Sequence, residues 1–183
     1  MIRIPALIWI LLMLTGMACN RKSGSASADE KGMPLPPALP RFAKSLAASD
    51  TLAANTDTLL YYQRSACFGF CPTFSYTVYQ NGMIKYDGIQ HVEWIGTRYG
   101  LVTEDWWKLV QDEINKARFF ELQSVYPVEK ELYIPDLPNT IVIVKEYGMR
   151  KQVTDNHHAP KELKDFEIFL EAHFQKVTFN TSW

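Results

Sequence analysis

Thr73-Phe74-Ser75-Tyr76-Thr77-Val78-Tyr79-Gln80-Asn81-Gly82-Met83-Ile84-Lys85-Tyr86 is the stretch whose reading decides the fold. Phe74, Tyr76 and Val78 alternate with Thr73, Ser75 and Thr77. That is the period-two pattern of a strand with one buried face. Asn81-Gly82 then marks a hairpin, and register decides which kind. A two-residue Asn81-Gly82 loop pairs Val78 with Lys85 and mixes apolar and charged residues on one face. A three-residue loop, Gln80-Asn81-Gly82 with the glycine in a left-handed bulge, pairs Val78 with Ile84 and Tyr76 with Tyr86. One face is then apolar throughout, so the longer loop is expected.

Working outward, Thr58 to Arg64 reads as a preceding strand, with Leu59, Leu60, Tyr61 and Tyr62 at its centre. A fourth strand is expected at His91 to Ile95, with Val92 and Trp94 on a common face. Thr103 can cap the first free amides of a helix, and Glu104 and Asp105 suit its positive end. Trp106, Leu109, Val110, Ile114 and Ala117 form the apolar stripe. Lys116 and Arg118 sit where the negative end favours cations. Asp136-Leu137-Pro138-Asn139 reads as a turn into a strand from Thr140 to Tyr147. Gly148 then turns the chain into Arg150 to Thr154. Pro160 fits the first turn of a last helix, buried through Leu163, Phe166, Leu170 and either His173 or Phe174. The order ββββ-α-ββ-α predicts an α+β fold, an antiparallel sheet with two helices packed on one face.

The chain ahead of this domain reads as an address. Arg3 precedes an apolar run from Ile4 to Leu14, and Thr15-Gly16-Met17-Ala18 lead into Cys19. A spanning helix needs about 20 apolar residues, so the run suits a signal peptide over residues 1–18. Small residues before a cysteine resemble the lipobox of lipoprotein signal peptidase, which implies lipidation of Cys19. The competing readings are an ordinary signal peptide cut after Ala18 and an uncleaved anchor. Two or more acyl chains, palmitate among them, hold firmly where one holds marginally. Asn20 resembles an outer-membrane sorting context. Arg21 and Lys22 give no acidic run of the kind linked to surface display. The expected location is therefore the cell envelope, lipid-anchored in the outer membrane and facing the periplasm. Residues 19–56 carry Pro34, Pro36, Pro37 and Pro40 and then an Ala- and Ser-rich stretch, which reads as a flexible tether. Residues 57–176 make one globular domain, and 177–183 a C-terminal tail. With 19 Lys and Arg against 20 Asp and Glu, charge gives no case for nucleic acid.

Arg64-Ser65-Ala66-Cys67-Phe68-Gly69-Phe70-Cys71-Pro72 is the distinctive motif. It resembles a family of uncharacterised bacterial envelope lipoproteins, a domain of unknown function marked by Arg, then Cys-x-Gly-x-Cys-Pro, an aromatic-rich strand and a glycine hairpin. Arg64, Cys67, Gly69, Cys71 and Pro72 carry the resemblance, with Asn81-Gly82 and Asp136-Leu137-Pro138, over roughly residues 58 to 175. It implies a fold and an address but no activity.

Three readings of the two cysteines compete. If Cys19 is lipidated, the odd cysteine count resolves and Cys67 can pair with Cys71, as an oxidising periplasm favours. A structural disulfide then staples the loop, with Gly69 allowing the tight backbone. Alternatively the pair is a redox-active dithiol beside Arg64, which would stabilise a thiolate. Redox motifs usually set the first cysteine at a helix start, whereas a strand follows here. Thirdly, Cys-x-x-x-Cys-Pro resembles the metal loop of periplasmic copper chaperones, with His157 or His158 as the added ligand. Those chaperones place a helix after the motif.

Other candidates are thinner. Arg64 and Asp136 could form a buried pair locking the motif loop, with a surface pairing or no contact as the equal alternatives. Asp87, His91 and Glu93 cluster within seven residues and could do acid–base work, although three polar residues around a strand more often form a solvated edge. No catalytic constellation, phosphate loop or zinc signature is read, and no cofactor is expected. The sequence thus predicts a non-enzymatic binding or interaction domain on a lipid tether, its partners being the membrane through the anchor and an envelope protein or small ligand. A periplasmic thiol-redox or copper-binding protein using Cys67 and Cys71 is the alternative.

Overall fold

A computed structural model describes residues 57–180. The predicted signal peptide 1–18, Cys19, the tether up to residue 56 and residues 181–183 lie outside the described residues. β1 (Thr58–Arg64), β2 (Thr73–Tyr79) and β3 (Met83–Gln90) open the domain. The hairpin between β2 and β3 has the three-residue form, with Val78 opposite Ile84 and Tyr76 opposite Tyr86. Gly82 adopts φ +82°, a left-handed conformation that glycine takes without a Cβ penalty. The apolar face is decisive: Val78 and Ile84 are fully buried, and a one-residue slip would move both to the other side.

β4 (Gly96–Leu101) follows, so the strand expected at His91 to Ile95 is displaced by five residues. His91 turns with φ +54°, and the segment from His91 to Trp94 is a series of bends folded back over the sheet end. The Val92 and Trp94 alternation belongs to this loop. The true strand carries two glycines and little apolar periodicity. Its place is set by pairing with β3, from Gly88–Gly96 through Met83–Leu101.

α1 (Glu104–Lys116) begins where predicted, with the Thr103 hydroxyl accepting the Trp106 amide at 3.1 Å. Its buried stripe is Trp107, Val110, Ile114 and Ala117, so the expected stripe needs correction. Leu109 is half exposed, and Trp106 lies on the flank, stacked on His173 with ring centroids 4.6 Å apart. Neighbouring tryptophans stand about 100° apart on a helix, and only the packing partner selects which enters the core.

After Val125–Tyr126 (β5), β6 (Thr140–Glu146) and β7 (Met149–Asp155) form an antiparallel hairpin, and β5 pairs parallel with β7. α2 (Lys161–Phe174) buries Leu163, Phe166, Leu170, His173 and Phe174. Phe179–Asn180 (β8) closes the far edge against β4. The described residues thus give a sheet ordered β5-β7-β6-β1-β2-β3-β4-β8. The two-residue outer strands were absent from the expected order, since two residues carry no readable period.

Both helices join one core cluster with Leu60, Tyr62, Val78, Ile84, Val142 and Val144, alternate positions that share a sheet face. The α+β class and the helices on one face stand. The ends of β1, β3 and β7 meet the starts of β2, β4 and β6 at one end of this sheet. Loops 65–72, 91–95, 127–139 and 156–160 therefore gather there. Thr58, where the chain enters β1, lies at the opposite end, about 20 Å away at strand rise.

Candidate functional site

The motif loop is built on the last residues of β1. Arg64 faces the helix side, where its guanidinium lies 3.5 Å from the Glu171 carboxylate and 3.4 Å from the Thr140 hydroxyl. Tyr62, two residues earlier on the same face, donates its phenol to the same Glu171. Burial, and then Glu171, push the Tyr62 phenol well above its ordinary range. The proposed Arg64–Asp136 pair is replaced: α2 presents a carboxylate to the buried face, whereas Asp136 lies in an exposed turn. Asp136 still holds the motif loop, but through its backbone, its carbonyl accepting the Phe68 amide at 3.1 Å.

Beyond Arg64 the loop is clamped on both sides. The Ser65 amide donates to the Asn139 carbonyl at 2.9 Å, and the Asn139 amide returns to the Ser65 hydroxyl at 2.8 Å. On the other flank His91 Nδ1 stands 3.2 Å from the Cys71 carbonyl, and its ring packs edge-on to Phe70. Cys67 and Cys71 stand at disulfide distance, with Cα atoms 5.7 Å apart, inside the range a disulfide spans without backbone movement. Between them the Gly69 amide folds back to the Cys67 carbonyl at 2.9 Å. Pro72 carries the chain into β2. Phe68 and Phe70 are 89% and 90% exposed, so a clamped loop presents two phenylalanine rings to solvent.

The neighbouring loops are also tied down. Asn156 bonds Ile134 through both its side-chain oxygen and nitrogen, each at 3.1 Å. His157 Nε2 stands 2.7 Å from the Leu132 carbonyl, with its ring against that of His158. Gly88 lets the 91–95 loop fold over β3: a Cβ there would stand 1.9 Å from the Trp94 carbonyl oxygen. The same carbonyl accepts the Tyr86 hydroxyl at 3.1 Å.

Beneath the loops lies a charge cluster that sequence reading missed. Asp155 and Glu167 are both buried and share Lys164, which bonds each. One oxygen of each carboxylate has no partner. Burial pushes the Glu167 carboxyl up to about 7, with Lys164 opposing and Asp155 adding to the rise. The one available signal was Glu167 at helical spacing from Leu163 and Leu170, a charge on the buried stripe.

Several predicted candidates stay apart. Asp87 bonds Thr97 at 2.5 Å and Lys85 at 3.0 Å, whereas His91 is engaged with the Cys71 carbonyl and Glu93 is exposed. Among the described residues no three His, Cys, Asp or Glu side chains are grouped to hold a metal ion. Cys67, Cys71, His157 and His158 therefore form no such group. Among the described residues no helix is long and apolar enough to cross a membrane.

No curated protein matches the chain. The family model of a domain of unknown function, DUF6438, matches residues 58–173, from the first residue of β1 to the last turn of α2. That span holds the whole motif loop, its clamps and the buried charges beneath it, and the chain belongs to the DUF6438 family.

Proposed function

We propose that this protein is a membrane-anchored envelope lipoprotein whose DUF6438 domain is a binding or interaction module, its motif loop rigidified by a Cys67–Cys71 disulfide. The observation that carries the reading is the exposure of Phe68 and Phe70 on a loop clamped from both sides. Large apolar rings on a pre-ordered backbone lose little freedom on binding and bury much surface, which is how interaction hot spots work. The anchor rests on the signal segment and Cys19. A Cys67–Cys71 pair would also leave Cys19 free to take lipid. Metabolic labelling with a palmitate analogue tests the anchor: label is expected on the intact chain and lost in Cys19→Ser. Label retained in that variant, or none on either, overturns it.

A second reading keeps a thiol-redox role, favoured by one observation. Cys67 and Cys71 are only half buried, with the His91 imidazole beside Cys71. The reduction potential separates the two. A potential below about −300 mV marks a structural bond, and a readily reduced pair favours the redox reading.

A further inference from the structure

We infer that the loop end of the sheet docks a protein partner offering an apolar cleft rimmed by basic side chains. This rests on the reading of the domain as an interaction module and names its surface and the chemistry of its partner. Four loops supply that end. Phe68 and Phe70 project from the motif loop, Trp94 and Ile95 from the β3–β4 loop, and Tyr133 and Ile134 from the loop before β6, all of them exposed. Exposed apolar side chains gathered on one face mark an interaction site rather than ordinary scatter. The backbone beneath is held by the Ser65–Asn139 and Phe68–Asp136 bonds and by Asn156 under Ile134. These hold the backbone that carries the rings before any partner arrives.

Charge selects the occupant. Glu93, Glu129, Glu131 and Asp136 ring the same end, exposed and without an ion pair among the described residues. Lys130 is the one Lys or Arg in these four loops. Nearby Arg98, in β4, is engaged over the Trp94 ring at 4.6 Å. An acidic rim is repelled by an anionic lipid surface, and a second copy would bring like charges face to face. A partner with an apolar cleft and lysines or arginines around it meets both features, with the rim setting orientation and specificity.

Crosslinking from the full chain in its native envelope tests this. A photoreactive phenylalanine is placed at position 68 or 70, with Asp112 on the exposed side of α1 as control position. A discrete protein adduct is expected from 68 and 70 and not from 112. The crosslinked peptide should come from a Lys- or Arg-bearing surface. The double variant Glu129→Lys, Glu131→Lys should cut adduct yield by roughly ten-fold, as like charge at a rim does, while thermal unfolding of the purified variant stays unchanged. Adducts to lipid, to a second copy, to an acidic surface or to nothing overturn the inference, as does a yield indifferent to the charge reversal. Phe68-dependent sedimentation with vesicles of phosphatidylethanolamine and phosphatidylglycerol would assign the rings to the membrane instead. Palmitate labelling reads the anchor separately, so failure of the surface and failure of the anchor are distinguishable.

Discussion

Arg64 and Glu167 show how a residue's role depends on what faces it. Arg64 was legible as a motif residue but its partner was not. Glu171 is 107 positions away in sequence and meets Arg64 only because α2 lies across β1. Glu167 carries a pH dependence whose sign follows from its raised pKa. An unfolded glutamate titrates near 4.5 and the folded one at about 7. The folded state therefore holds a proton that the unfolded chain has released between those values. The resulting stability is full below about pH 4.5 and is lost as pH rises through about 7. Glu167→Gln, which mimics the protonated group, should flatten this window. In urea unfolding we expect the variant to gain on the order of 2 kcal/mol over the parent at pH 8, with little gain at pH 4.5. Equal effects at both values would mean that Glu167 is not the group titrating.

At the scale of elements, local chemistry and long-range packing divide the work visibly. The Thr103 cap was readable because a capping hydroxyl acts within one turn. Thr103→Ala should cost about 1 kcal/mol by thermal unfolding. The phase of α1 was not readable, since Trp106 and Trp107 both complete an apolar stripe. Trp107→Ala should cost about 3–5 kcal/mol, whereas Leu109→Ala should change stability by less than about 1 kcal/mol. The reverse order would restore the expected stripe. Gly88 belongs here too. Gly88→Ala sets a methyl carbon against the Trp94 carbonyl, so the 91–95 loop must lift from β3. A shift in Trp94 fluorescence with stability lowered by at least about 2 kcal/mol is the expected result. The displaced β4 has the same cause as this loop: a glycine-rich strand gains its conformation from its neighbour, and no local period announces it.

For the molecule as a whole, the sheet order gathers the motif loop and its clamps at the end opposite the chain's entry at Thr58. A disulfide between Cys67 and Cys71, which stand at disulfide distance, would close only five residues, so the loop-entropy account gives it about 2 kcal/mol. Replacing both cysteines by serine should lower stability by about that amount with far-ultraviolet circular dichroism intact. Loss of the fold would show that the pair does more than staple a loop. Sequence alone determined the α+β class, the three-residue hairpin and its register, the cap of α1 and the spans of β1 and β2. Each of these depends on side-chain period or turn chemistry within a few residues. Only the tertiary structure decided which tryptophan enters the core, where β4 lies, which carboxylate meets Arg64, and that the buried Asp155 and Glu167 share one half-exposed lysine, Lys164. Those choices turn on contacts between residues distant in the chain, whose free energy no local pattern encodes.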